Sequence, residues 1–173
     1  YAALCHEAGI VPIVEPEVIF SGSHDLARAE AVTTQVLKKL FDQLTWYGVD
    51  LKAVILKSSM VLAGSDHQPQ TKPAEVAEAT IRTFESTVPH DVPGIVFLSG
   101  GQLPVQATAN LDALAERTAE LEAANLAVQD LNETLELRHM LDADTIRQLE
   151  ESIDVIEELM DGITRKQQPG GDA

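Results

Sequence analysis

The chain has 173 residues, about the length of one domain, and 45% of them are hydrophobic, which is enough for a buried core. A formal net charge of −16 argues against nonspecific binding to nucleic acid or to an anionic membrane surface. The sequence holds one cysteine and no run of 18 apolar residues, so we expect a cytoplasmic protein without a disulfide framework or a membrane span.

Three short apolar runs, rich in β-branched residues, predict β-strands at about 10–15, 52–57 and 94–98. A polar residue stands at or just after the end of each run: Glu15, Lys57 and Ser99. These residues are evenly spaced, since 57 − 15 = 42 and 99 − 57 = 42. The runs lack polar alternation, which is typical of strands that are buried on both faces.

A stretch of helical period follows each strand. The first predicted helix covers about 25–47, with Ser23 or Asp25 as its cap. The second runs from Pro73 to about Thr87, and the third begins near Pro104. The order β-α-β-α-β-α predicts an α/β fold of three parallel β/α units. In a parallel β/α barrel, polar groups at the C-terminal ends of such strands build the active site.

The C-terminal part of the chain is more acidic than the rest. Residues 111–173 hold 5 basic and 16 acidic side chains, a net charge of 5 − 16 = −11, whereas residues 1–110 give 7 − 12 = −5. Apolar residues at alternating steps of three and four over 111–163 predict a coiled-coil seam or a helical hairpin. Asn125 and Asn132 occupy seam positions and weaken the first stretch.

A possible cap near 139–144 predicts a break between two helices. We therefore expect amphipathic helices or a helical hairpin over 114–164, and a disordered tail over 165–173. A homo-oligomer formed through the helices of 111–163 is one interpretation of the seam.

Each polar strand end has both a structural and a chemical interpretation. Lys57 could reach solvent or a salt bridge, or it could be a Schiff-base lysine, which needs a desolvated or cationic setting to lose its proton. Glu15 and Glu17 could be a solvated pair or a general acid/base with a neighbouring carboxylate. Ser99, Gly100 and Gly101 could be a turn that needs glycine, or a phosphate-binding loop.

The five histidines and the single cysteine show no metal-ligand spacing, so we expect no metal site. The covalent chemistry of a lysine imine would need no cofactor.

Three motifs together carry a family resemblance. They are Ile10–Val18 (IVPIVEPEV), Lys57 with the following Met60-Val61, and Gly94–Gln102 (GIVFLSGGQ). In order and separation they resemble the fifth, sixth and seventh strand motifs of class I fructose-bisphosphate aldolase. The resemblance covers about residues 1–113, and this chain departs from it in having Ser58-Ser59 after the lysine, where the family commonly has Pro-Asn.

The resemblance implies a partial TIM barrel over 1–113 and a glycolytic lyase chemistry. Lys57 would form the Schiff base with a phosphorylated ketose, fructose 1,6-bisphosphate. Glu15 would carry protons, Glu17 would help to set the charge of the lysine, and Ser99–Gly101 would bind a substrate phosphate. The products would be dihydroxyacetone phosphate and glyceraldehyde 3-phosphate.

We expect the chain by itself to be inactive, because only three of eight barrel strands are present and other substrate-binding residues of the family are absent. Two alternatives remain open. The chain could be a non-enzymatic interaction protein, since Leu114–Asn125 resembles the signalling coiled coils of bacterial sensor kinases. It could also be a fusion of unrelated sequences, because the character of the chain changes abruptly near residue 114.

Overall fold

A computed structural model describes residues 1–166, with side-chain burial given as far as residue 158. The chain divides into two units, Tyr1–Leu121 and a second that begins at Glu122. Residues 1–166 form four α-helices, three β-strands and one 3₁₀ turn. The helices are α1 (Ala2–Glu7), α2 (Leu26–Trp46), α3 (Pro73–Thr87) and α4 (Pro104–Lys166), and the strands are β1 (Ile13–Val14), β2 (Ile55–Ser58) and β3 (Gly94–Phe97).

The three strands form one parallel sheet in the order β1-β2-β3. This arrangement confirms the α/β class and the parallel topology that alternation predicts. The strands are shorter than the apolar runs that suggested them. At the start of β1, Pro12 has no N–H and takes part only as an acceptor, from the N–H of Ile55. The beginning of the second apolar run forms a 3₁₀ turn, Leu51–Ala53, and not part of β2.

The helices of the first unit start and stop where the sequence signals them. Asp25 caps α2 by accepting a hydrogen bond of 2.8 Å from the N–H of Arg28. Pro73 occupies the first turn of α3, and the Glu75 carboxylate accepts from the N–H of Lys72 at 3.0 Å. These caps satisfy backbone donors that a helix start leaves without intrahelical partners.

The core of the first unit lies on one face of the sheet. Leu37 of α2 and Leu56 of β2 are fully buried there, and Val14 of β1 is 2% exposed. Phe84 and Val88, in α3 and just after it, pack against the same cluster. Burial of such side chains is the main source of stability for the unit.

The other face of the sheet is open, so the prediction of burial on both faces is wrong. Ile13 of β1 is 50% exposed and Val96 of β3 is 44% exposed. Lys57 lies between these strands in register with Val96, and its side chain is 36% exposed. The apolar side chains of the strands point to both faces of the sheet. The helices of this unit cover only one of these faces.

The second unit consists of the part of α4 that begins at Glu122. All its residues with described side chains, from Glu122 to Glu158, are exposed. The predicted break near 139–144, and with it a helical hairpin, does not occur within the described part of the chain. Thr145 donates to the carbonyl of Leu141 at 2.9 Å, and Asp144 pairs with Arg147, so both act inside the helix and not as caps. The end of the predicted tail, residues 167–173, lies outside the described residues.

Candidate active site

The carboxylate of Glu15 and the amine of Lys57 meet at the C-terminal edge of the sheet. Their Oε1 and Nζ atoms are 2.9 Å apart, and the two side chains are 45% and 36% exposed. The contact follows from the strand register, because Val14 pairs with Leu56 and the next residue on each strand lies beside the other. A separation of 2.9 Å is a hydrogen-bond distance, across which a proton can pass between an ammonium and a carboxylate.

Glu17 takes no part in the ion pair of Lys57. The ion pair of Lys57 is with Glu15. Glu17 lines a cavity of about 350 Å³ together with His24 and Arg28. The residue between the two glutamates is Pro16, and the chain leaves the strand at this point. The assignment of Glu17 to the neighbourhood of the lysine therefore stays a prediction.

The loop from Ser99 to Gly101 follows β3 at the same sheet edge. Gly100 and Gly101 have φ angles of +61° and +87°, which side-chain-bearing residues rarely adopt. A Cβ on Gly100 would come within 3.2 Å of the Cβ of Ser59, in the loop after β2. The backbone angles therefore favour glycine at both positions, and the close approach of the two loops leaves little room for a side chain at Gly100.

Two buried amides, which no catalytic motif in the sequence marks, hold this loop in place. The Gln102 side chain donates from Nε2 to the carbonyl of Ser99 at 2.8 Å. Its Oε1 accepts from Nδ2 of Asn110 on α4 at 2.6 Å. Gln102 is 7% exposed and Asn110 is 1% exposed. Hydrogen bonds between buried amides are costly to break, so they fix the loop against the first turns of α4.

The loops after β1 and β2 are joined by backbone hydrogen bonds. The N–H of Gly64 donates to the carbonyl of His24, and the N–H of Ser65 donates to that of Phe20, both at 2.9 Å. A Cβ on Gly64 would lie 2.1 Å from the carbonyl oxygen of Gly22, so only glycine fits there. These contacts therefore hold the loops after β1 and β2 together next to the site.

An apolar cavity of about 580 Å³ lies on the α1 side of Glu15. Tyr1, Leu4, Leu40 and Leu44 are among its lining residues. The Tyr1 hydroxyl donates to the carbonyl of Ile13. Partial burial of this phenol, and then its electrostatic interactions with Cys5 and Glu15, raise the pKa of Tyr1 above its usual value. Tyr1 therefore stays a neutral donor at this edge of β1.

The candidate residues share one edge of the sheet but not one cavity. Glu15 lines the apolar cavity, Glu17 lines the cavity near His24, and Gly101 lines a third of about 590 Å³ with Phe20. The structure brings Glu15 and Lys57 into contact and places the Ser99–Gly101 loop next to the loop after β2. Within the residues that the structure describes, no three histidine, cysteine or acidic side chains cluster as metal ligands would.

A family model for class I fructose-bisphosphate aldolase, a glycolytic family, matches residues 1–126. This match covers most of the chain and all three strands with their polar ends. The chain belongs to the class I fructose-bisphosphate aldolase family. The family consists of lyases, and the resemblance of the three strand motifs is thereby confirmed.

Curated relatives extend this finding. A probable class 1 fructose-bisphosphate aldolase of Xylella fastidiosa is 53% identical over 114 residues, which are 66% of this chain and 34% of that protein. A cytosolic fructose-bisphosphate aldolase of Arabidopsis thaliana is 46% identical over 114 residues, which are 66% of this chain and 29% of that protein. The chain thus spans about a third of the length of the aldolases that it matches.

A solved structure supports the same relationship. The aldolase of Plasmodium falciparum, crystallised in a ternary complex with TRAP and a small-molecule inhibitor, matches with a TM-score of 0.64 and 41% sequence identity. The match covers 66% of this chain and 33% of that one. In the described part of this chain, no helix has both the length and the apolar character that crossing a bilayer requires.

Proposed function

We propose that residues 1–113 form part of a class I aldolase active site, with Lys57 as the amine that forms an imine with the ketone of a phosphorylated ketose. The observation that carries the proposal is the 2.9 Å contact between Lys57 and Glu15 at the end of two parallel strands. An amine attacks a carbonyl only in its neutral form, and the carboxylate of Glu15 is placed to take the proton.

The chemistry that follows accounts for the remaining residues. Lys57 adds to the ketone carbon, and the carbinolamine loses water with a proton supplied by Glu15. The protonated imine draws the electron pair of the C3–C4 bond when the C4 hydroxyl loses its proton, which releases an aldehyde and leaves an enamine. Protonation of the enamine carbon and hydrolysis then return the free amine. No metal or organic cofactor enters these steps.

Glu17 and the Ser99–Gly101 loop have supporting roles in this proposal. Glu17 helps to set the charge of the lysine, as the family resemblance implies. The hydroxyl of Ser99 and the N–H groups of Gly100 and Gly101 bind a phosphate of the substrate, fructose 1,6-bisphosphate. The buried bond between Gln102 and Asn110 supports this proposal, because a fixed loop presents its donors without a cost of ordering them.

The open face of the sheet supports a partial barrel as the fold of this unit. In a β/α barrel, helices cover the outer face of the strands, and the inner face meets side chains of other strands. Ile13, Lys57 and Val96 lie on the face that α2 and α3 leave open. We infer that this face corresponds to the barrel interior. Cleavage of the substrate requires residues from the rest of a barrel, so the chain alone is inactive.

We place this function in the cytoplasm, as the names of the cytosolic plant relatives suggest.

Borohydride trapping tests the role of Lys57. The chain is incubated with dihydroxyacetone phosphate, reduced and mapped by mass spectrometry. We expect an adduct on Lys57 at about tenfold the level found on Lys52, an exposed lysine close in sequence, because Glu15 can relay protons during addition and loss of water at Lys57. Glu15→Gln should slow trapping, and no cleavage of fructose 1,6-bisphosphate is expected. Equal adducts on both lysines would contradict the imine assignment, and turnover would contradict the inactivity of the chain.

A second candidate function is self-association through α4. The specific observation in its favour is the exposed apolar side chains of the second unit, which include Leu135, Ile146 and Ile153. We propose that this helix binds another helix, most simply that of a second copy. Sedimentation equilibrium of the full chain tests it, and a monomer at all concentrations would count against it.

A further inference from the structure

The seam of α4 keeps one heptad register through the second unit. The step from Leu135 to Ile146 is 146 − 135 = 11 = 4 + 3 + 4, so the two apolar stretches belong to one repeat. In a coiled coil, positions a and d of each heptad form the core. With Ile146 at position a, Leu149 is at position d of the same heptad. The remaining core positions of residues 125–156 are Asn125, Val128, Asn132, Leu135, His139, Asp142, Ile153 and Ile156.

The apolar members of this seam are all exposed. Val128 is 55% exposed, Leu149 is 60% exposed and Ile156 is 59% exposed, and each lies in a helix that has no cover in this unit. The seam extends over 156 − 125 = 31 steps, or about 47 Å at 1.5 Å per residue. Six of the ten core positions are apolar, and the longest unbroken apolar stretch runs from Ile146 to Ile156.

We propose that residues 125–156 pair with the same residues of a second copy as a parallel, two-stranded coiled coil. The proposal rests on the self-association of α4 proposed above and adds the number of strands, their direction and their register.

The types of residue in the core favour two parallel strands. Ile146 and Ile153 are β-branched at a positions, and Leu149 lies between them at a d position, the combination that favours dimers. Val128 and Ile156 are β-branched at d positions and do not add to this preference. Asn125 and Asn132 also occupy a positions. In a parallel dimer each asparagine meets its own copy, so that the two amides can bond to each other, and a buried asparagine at this position is known to fix register and strand number.

The antiparallel arrangement places unlike residues together. Its layers join a positions to d positions, for example Val128 to Ile153, with a constant sum of residue numbers of 128 + 153 = 281. In that pairing Asn132 faces Leu149, because 132 + 149 = 281, and its amide is buried without a partner, which destabilises the pair. Asn125 would likewise face Ile156.

The charges beside the seam also agree with a parallel pair. The e positions carry four glutamates, which are Glu122, Glu136, Glu150 and Glu157. The g positions from 124 to 152 carry no acidic residue and include Arg138. A parallel pair brings g against e of the partner, so no two glutamates face each other there. In an antiparallel pair e faces e, which can set glutamates against each other.

His139 and Asp142 form the polar middle of the seam. In a parallel pair Asp142 meets its own copy, which opposes association, whereas an antiparallel pair would join Asp142 to His139, since 142 + 139 = 281. The middle layers therefore favour the other direction, and the apolar layers from Ile146 to Ile156 supply the stability of the parallel pair. The two directions differ in which residues touch, and this difference can be measured.

Single cysteines in the full chain, all in a Cys5→Ser background, distinguish the directions. Val128→Cys and Ile153→Cys are prepared separately and mixed in a glutathione redox buffer, and the disulfides are mapped by mass spectrometry. We expect 128–128 and 153–153 disulfides, about tenfold above a matched Ala127→Cys variant, whose side chain points away from the seam. In an antiparallel pair the two copies of residue 128 would be 153 − 128 = 25 residues apart, or about 37 Å.

The outcomes separate this proposal from self-association itself. Disulfides between 128 and 153 would overturn the parallel direction while leaving self-association intact. A mass of three or four chains in sedimentation equilibrium of the Cys5→Ser parent would overturn the two-stranded form, and a monomeric parent would remove both proposals. Crosslinking of Ala127→Cys equal to that of Val128→Cys would contradict the register. Circular dichroism of each variant confirms that the helix is retained.

Discussion

The two units of the chain place similar residues in opposite surroundings. Leu37 in α2 is fully buried, whereas Leu126 in the second unit is 61% exposed, although both lie within long helices. In the first unit, helices pack on a sheet and on each other, and Arg82 of α3 reaches Glu30 of α2. In the second unit, the side-chain bonds join residues three or four positions apart in the same helix, such as Arg147 and Asp144. The difference shows that helical period alone does not tell a core-facing stripe from an open one.

This contrast has a consequence for stability. A helix in the first unit is held by burial of its apolar stripe, which contributes far more than intrinsic propensity. The second unit has only its backbone bonds and short-range pairs until something covers its seam. Substitutions of the same kind should therefore have large effects in the first unit and small effects in the second.

The largest difference is expected for leucine truncation. Leu37→Ala should lower the free energy of unfolding by about 3 kcal/mol, because it removes a fully buried side chain and leaves a cavity. Leu126→Ala, at an exposed position outside the proposed seam, should change it by less than about 0.5 kcal/mol. Urea unfolding measured by the fluorescence of Trp46, the single tryptophan, reports on the first unit.

Similar losses from both leucine substitutions would contradict the contrast between the units. Circular dichroism in the same samples provides the control for Leu126→Ala, since it measures helix in both units.

A smaller difference is expected for threonine hydroxyls. Thr80 of α3 is fully buried; it donates to the carbonyl of Val76 at 2.7 Å and accepts from the N–H of Val61 at 2.9 Å. Thr80→Val keeps the shape but leaves that N–H buried without a partner, so unfolding should become easier by about 2 kcal/mol. Thr134 makes only the bond to the residue four positions before it, Asp130, and is exposed. Thr134→Val should have almost no effect on the same urea measurement.

If Thr134→Val cost as much as Thr80→Val, the hydroxyl bond across elements would not be the cause. The hydrogen bond between the N–H of Val61 and the Thr80 hydroxyl would then contribute little to holding the loop after β2 against α3.

The sequence predicts the first unit better than the second for physical reasons. Pro73, the Asp25 cap and the β-branched runs are local signals, and the structure follows them. The bond between Gln102 and Asn110 joins a loop to a helix eight residues away, and no periodic pattern marks it. The open sheet face escaped prediction too, because an apolar strand looks the same whether or not another layer covers it.

The candidate site shows the same division. The order of strands in a parallel sheet predicts that Glu15 and Lys57 lie at one edge, and their 2.9 Å contact agrees with it. The position of Glu17 depends on how the chain turns at Pro16. The geometry of an extended strand predicts side-chain directions only as far as the strand continues, so it does not predict where Glu17 lies. In the second unit, Asp142 and Asp144 resemble a cap, but neither Gly nor Pro stands near them to stop the helix.

The smallest expected difference concerns ion pairs. Arg82 binds both carboxylate oxygens of Glu30 across two helices, from Nε at 3.1 Å and from Nη2 at 3.0 Å, and these hydrogen bonds raise the pKa of Arg82. The pair is exposed to solvent, so Arg82→Gln should cost at most about 1 kcal/mol in urea unfolding, and less in high salt. Arg147→Gln removes a pair within one helix turn and should cost about 0.3 kcal/mol or less. A cost for Arg82→Gln that salt does not reduce would mean that the guanidinium contributes through packing of its stem on α2, not through its charge. The contrast between the units would then depend on buried area alone.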